Sequence, residues 1–126
     1  MPPEATYCIY KVLDLIREKP GMYCGAKSIV RLHVYLGGYD HAMCDLGFNQ
    51  ECSPEFSFSF DDWVAARLGY YETTAGWCNM ILAQTKGWSP KRKWRTLAQS
   101  GTPSEEALAV ARFYELLDDY RRGDMP

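Results

Sequence analysis

A mainly α, single-domain fold is what this sequence predicts, and three observations predict it. Apolar residues recur at spacings of three and four along most of the chain, the signature of one buried helix face. Helix start and stop signals bracket those stretches. The composition supplies a core, with 47% of the 126 residues hydrophobic and 14% aromatic against 24% charged. A chain of this length buries roughly two-thirds of its unfolded surface, enough for one self-sufficient domain.

Each element has its own reason. Ile9, Val12, Leu13 and Ile16 follow the i, i+3, i+4, i+7 spacing of a first helix. Pro20-Gly21 stops it, because the residue before a proline is pushed out of the α region. After a short loop, Ser28 is the N-cap of a long helix whose stripe is Ile29, Leu32, Leu36, Tyr39, Met43 and Leu46, ending near Gly47. Gly37-Gly38 falls in its middle, where each glycine costs about 1 kcal/mol relative to alanine. A kink or a close helix contact is expected there as compensation.

Phe56, Phe58 and Phe60 alternate with Ser57 and Ser59. That period of two predicts an extended, Phe-rich arm within residues 48–60, packing its rings onto the helices. Asp61 or Asp62 then caps a short helix carrying Trp63, Val64 and Leu68, closed by Gly69. Thr73 or Thr74 starts the next, with Trp77, Cys78, Ile81 and Leu82 inward and Gly87 as its stop. Ser89-Pro90 reads as N-cap plus proline at the first helical position, opening a helix over 90–99 with Trp94 and Leu97. Thr102-Pro103-Ser104-Glu105 is a capping box, and Ala109, Phe113, Leu116, Leu117 and Tyr120 form the last buried stripe. The prediction is a bundle of about six helices with one extended arm.

Composition also bounds function. No apolar run approaches the roughly 18 residues of a spanning helix. Met1-Pro2-Pro3-Glu4 shows no basic region followed by an apolar stretch, so no signal peptide and a cytoplasmic location are expected. The odd count of five cysteines, without a C-x-x-C pair, predicts reduced thiols. His33, His41 and Cys44 could share one helix face, but a structural zinc needs a fourth ligand, so no metal site is assigned. No phosphate loop, G-x-S-x-G elbow or other cofactor signature is present, which points away from an enzyme.

Charge is unevenly spread. Residues 73–104 hold Lys86, Lys91, Arg92, Lys93 and Arg95 and no acid, a charge of +5, while the remainder carries −7 for a net −2. That net charge argues against a dedicated nucleic-acid binder. The segment Trp88-Ser89-Pro90-Lys91-Arg92-Lys93-Trp94-Arg95 nonetheless mixes cations with aromatics as single-strand binders do. A small regulatory domain touching nucleic acid through residues 86–95 is therefore the alternative function.

Two stretches resemble known families. Arg17-Glu18-Lys19-Pro20-Gly21-Met22-Tyr23-Cys24-Gly25 resembles the R-K-R-P-G-M-Y-I-G stretch of the ATPase domain of type II topoisomerase B subunits. Here the following helix has no asparagine and no D-x-G-x-G occurs, so the likeness ends after nine residues. The broader one joins R-x-K-P-G-M-Y-x-G, Ser28-Ile29, Leu36-Gly37-Gly38-Tyr39, Phe60-Asp61-Asp62-Trp63-Val64-Ala65, Tyr70-Tyr71-Glu72 and Gly76-Trp77. In that order they resemble small bacterial immunity proteins of polymorphic or contact-dependent toxin systems, over about residues 12–83. The resemblance implies a cognate toxin domain as partner, occluded at its active site or substrate surface. Acidic groups suit a toxin with a basic cleft, and aromatic anchors dominate interface energies. The candidate binding residues are accordingly Asp40, Asp45, Asp61, Asp62, Tyr70, Tyr71 and Glu72.

Overall fold

The computed structural model describes residues 5–73, 75–91 and 101–126. Along them run β1 (Thr6–Tyr7), α1 (Ile9–Glu18), α2 (Pro20–Cys24), α3 (Ile29–Asp45), β2 (Asn49–Gln50), α4 (Ser57–Leu68), α5 (Gly76–Thr85) and α6 (Pro103–Arg121). The mainly α architecture is thus the one that periodicity predicts. The helix expected over 90–99 falls outside the described residues from Arg92 onward.

α1 buries Ile9, Val12, Leu13 and Ile16 as its spacing requires. Beyond it the expected short loop is in part a one-turn helix. Pro20 sits at its first position, where the missing N–H costs nothing, and Gly25 closes it at φ 81°. Ser28 then starts α3 with two bonds. Its Oγ accepts from the Arg31 amide at 3.2 Å and donates to Glu106 Oε1 at 2.7 Å, so one hydroxyl caps α3 and ties it to α6. α3 buries Ile29, Leu32 and Leu36. Its stripe then leaves the core, for Tyr39 and Met43 are half-buried and Leu46 is 71% exposed. The close helix contact expected at Gly37-Gly38 is not found: both lie within α3, and among the described residues a Cβ at either would meet nothing within 4 Å.

The Phe-rich segment corrects the extended-arm expectation. Ser57–Leu68 is helical, Phe56 is its N-cap, and no Asp caps it. A period of two would put all three rings on one face, whereas a helix puts residues i and i+4 together and i+2 opposite. Phe56 is 7% and Phe60 0% exposed, stacked at 5.1 Å between ring centroids, while Phe58 is 81% exposed. Helical pairing explains this and alternation does not. The residues before it do extend: β2 pairs in parallel with β1, Thr6 opposite Asn49 and Tyr7 opposite Gln50.

Next to that ladder, Cys8 and Cys52 form a disulfide with their Cα atoms 5.2 Å apart, which overturns the expectation that all five thiols are free. Sequence could not reveal it, because the two meet only when β1 and β2 pair. Cys24, Cys44 and Cys78 remain free, and burial pushes the Cys78 thiol up to about 12.

α5 and α6 form the centre. α5 buries Trp77, Cys78, Met80, Ile81, Leu82 and Ala83. α6 begins with the predicted capping box, Thr102 and Glu105 bonding each other's amides, and buries the predicted stripe together with Val110 and Tyr114. Tyr114 donates to the Leu13 carbonyl at 2.7 Å, anchoring α1 on α6.

Phe60→Ala should cost about 3–5 kcal/mol in chemical denaturation, the range for a deleted core ring. Phe58→Ala should stay within about 0.5 kcal/mol, as exposed substitutions do; comparable losses for both would restore the extended arm. The Cys8–Cys52 bond closes a sequence separation of 44 residues. Cys8→Ser with Cys52→Ser should therefore destabilise by about 2–4 kcal/mol, and reductant should lower the melting temperature of the wild type alone.

Candidate functional site

A cleft opens where α3, β2 and the start of α4 meet α5. Its volume is about 150 Å³. α3 contributes His33, Leu36, Gly37 and Asp40, β2 contributes Gln50, and Phe56, Ser57, Trp77 and Ile9 complete the wall. The helical spacing of 33, 36, 37 and 40 is what places four α3 residues on one face.

Asp40 and His33 are each held from behind. The Tyr7 hydroxyl donates to Asp40 Oδ1, fixing that carboxylate against β1. Burial and the Asp40 charge together push the Tyr7 phenol well above its ordinary range. His33 stays exposed overall, but its ring meets Trp77 edge-on at 5.2 Å. Crowding around the imidazole lowers its pKa from 6.5, and the nearby Asp61 charge offsets only part of that. Asp61 accepts from the Trp77 amide at 2.8 Å, capping α5 from α4. Desolvation raises its pKa from 3.8 despite that bond and His33. Gln50 Oε1 is buried without a hydrogen-bond partner among the described residues. Ser57 and His33 share the cleft, yet no hydrogen bond joins them as a nucleophile and base would be joined.

The structure scatters the predicted binding residues. Asp40 lines the cleft and Asp61 reaches it through His33 and Trp77. Asp45 is exposed further along α3, 3.3 Å from His41 Nε2. Asp62 is exposed on α4, and Tyr71 and Glu72 are exposed in the α4–α5 connector, Tyr71 at 96%. Tyr70 is no surface anchor. It is buried, and its hydroxyl donates to the Met80 carbonyl at 3.2 Å.

In the alternative basic segment, Lys86 lies 3.9 Å from Glu105 and 5.2 Å from the Trp88 ring centroid, so it is partly committed inside the fold. Lys91 is exposed, while Arg92, Lys93 and Arg95 lie outside the described residues. His33, His41 and Cys44 face three ways, toward Trp77, Asp45 and Tyr7 respectively. Sequence reasoning missed Gln50, Phe56 and Trp77 as cleft residues. The one signal for the cleft was the unexplained glycine pair in the middle of α3.

No family model, curated protein or solved structure matches this chain. Among the described residues, no helix is long and apolar enough to cross a membrane.

His33 predicts a pH dependence. A folded pKa below the ordinary 6.5 means that the unfolded chain takes up this proton first. The stabilisation is fully present above pH 6.5 and is lost as pH falls toward the folded value. Asp61 works in the opposite sense and a lower window. Its raised pKa favours the fold below 3.8, an advantage lost as pH rises through the folded value. Denaturant melts of the wild type and His33→Gln from pH 7.5 to about 5 should differ in slope, the wild type losing more stability. Parallel curves would overturn the assignment.

Proposed function

We propose that this protein is an immunity protein that binds a basic toxin domain and covers its active site or substrate surface. The observation that carries this reading is Tyr71, 96% exposed on a chain that buries most of its other rings, next in sequence to Glu72. An exposed tyrosine beside carboxylates suits a partner-facing anchor with electrostatic steering around it. The aromatic-packed body below suits a blocker that binds without rearranging.

The exposed acidic groups for this role are Asp45, beside His41, with Asp62 and Glu72, and Asp40 lines the cleft. Asp61 belongs to the α5 cap and Tyr70 to the core, so neither is counted as a contact. A cytoplasmic setting is part of the proposal. The Cys8–Cys52 bond weighs against it, since reducing compartments keep such pairs open.

The test is co-expression with the toxin domain encoded beside it, scored as cell survival, with association rates measured on the purified pair. Asp45→Lys, Asp62→Lys and Glu72→Lys together should leave the melting temperature nearly unchanged and slow association about tenfold at low salt. Added salt should narrow that gap. Tyr71→Ala should act mainly on dissociation. Lys91→Glu, in the basic segment, is the control and should protect as the wild type does. Full protection by both acidic-face and Tyr71 variants, or failure of Lys91→Glu alone, would refute the placement, and absence of any protected toxin would refute the function.

A further inference from the structure

The cleft beside α3 has a feature that folding does not require. Gly37 stands in the interior of a 17-residue helix, where glycine costs about 1 kcal/mol relative to alanine. Its φ is not positive, and a Cβ there would meet nothing within 4 Å, so neither backbone geometry nor close packing demands it. Gly38 shares those properties, but only Gly37 lines the cleft. Gly37 is exposed and lines the cleft, so a side chain there would stand at its edge.

What that space would hold follows from its lining. Asp40 supplies a carboxylate, and Gln50 Oε1 is a buried acceptor without a donor among the described residues. An acceptor left unmade costs about 1–3 kcal/mol. Because this oxygen has almost no accessible surface, a ligand donor meets it only when the Gln50 side chain turns toward the cleft. Among the described residues no lysine or arginine lines the cleft, and burial lowers the His33 pKa, disfavouring a positive charge there. The apolar wall includes the rings of Phe56 and Trp77, 6.1 Å apart between centroids. Acceptors, one negative charge and aromatic rings together select a cation that donates several N–H bonds. The fold already uses this chemistry on itself: Arg67 lies 4.4 Å over the Trp63 ring and Arg121 4.4 Å over Tyr10. The volume of about 150 Å³ suits one side-chain head.

We infer that this cleft is a receptor for a single arginine side chain presented by a partner protein, with Asp40 and Gln50 receiving the guanidinium and Gly37 keeping the entrance open. The partner's identity rests on the immunity reading; the cleft's preference for guanidinium does not.

The experiment therefore uses N-acetyl-arginine amide as the probe, with N-acetyl-citrulline amide as its neutral isostere. Binding is followed by NMR at the Trp77 indole N–H and the His33 ring. Arginine amide should give saturable millimolar binding, and citrulline amide should bind at least about tenfold more weakly. Asp40→Asn retains an acceptor for the Tyr7 hydroxyl while removing the charge, and should weaken arginine binding by a similar factor. Gly37→Leu should melt higher than the wild type and lose binding, so lost binding cannot be blamed on lost folding. Gly38→Ala should also melt higher yet bind normally. Equal binding of arginine and citrulline amides, no saturation by arginine amide, or normal binding by Gly37→Leu would each overturn the inference. Such a failure leaves toxin protection intact, whereas failed protection with normal arginine binding would count against the immunity reading alone.

Discussion

One aromatic contact organises the molecule. Phe113 of α6 lies 4.6 Å from Trp77 of α5 between ring centroids, 5.8 Å from Phe60 of α4 and 6.4 Å from Phe56. Phe60 and Phe113 are fully buried. Aromatic pairs at such separations add about 0.5–1.5 kcal/mol each beyond the area they bury. The cluster also sets geometry. To reach Phe113 from consecutive turns, Phe56 and Phe60 must be four residues apart on a helix, and α4 takes its register from that demand. Trp77 is shared between this core and the cleft, so the packing that stabilises the bundle also positions the back wall of the site.

Charge pairs decorate that core without replacing it. Arg17 meets Asp118 in a two-pronged contact at 2.8 and 2.9 Å, Arg67 meets Asp119 at 2.8 Å, and Arg121 meets Asp14 at 2.7 Å. Exposed pairs of this kind are worth up to about 1 kcal/mol each, far less than the ring cluster. Their larger effect is on where charge remains available. Much of the positive charge of α1, α4 and α6 is engaged by carboxylates of its own chain. The carboxylates of Asp62 and Glu72 stand exposed on the stretch from α4 toward α5.

The cleft and the core obey different rules. In the core, polar atoms are satisfied: the Tyr114 hydroxyl reaches Leu13, the Tyr70 hydroxyl reaches Met80 and the Cys78 thiol lies 3.6 Å from the Ile29 carbonyl. At the cleft, an amide oxygen of Gln50 lacks a partner among the described residues, and a helix glycine stands where alanine would be more stable. Departures from local consistency of this sort concentrate where a surface serves something other than folding.

The sequence alone determined the helices whose signals are local. The Ser28 cap, the Thr102–Glu105 capping box, the Gly69 stop and the three-and-four spacing of α1, α5 and α6 act through neighbours within a few residues, so each was legible without a fold. The same locality explains the failures. Phe56-Ser57-Phe58-Ser59-Phe60 fits both periods, and only Phe113, more than 50 residues away, selects the helical one. Asp61 looked like a cap for its own helix and instead caps α5, because the amide it meets belongs to Trp77. Exposed Asp62, Tyr71 and Glu72 could be nominated from residue type. That Tyr70 points inward, that Cys8 bonds Cys52, and that His33, Asp40 and Gln50 border one cleft depend on segments distant in sequence. Tertiary structure decided those, since long-range contacts exist only once the core has brought their elements together.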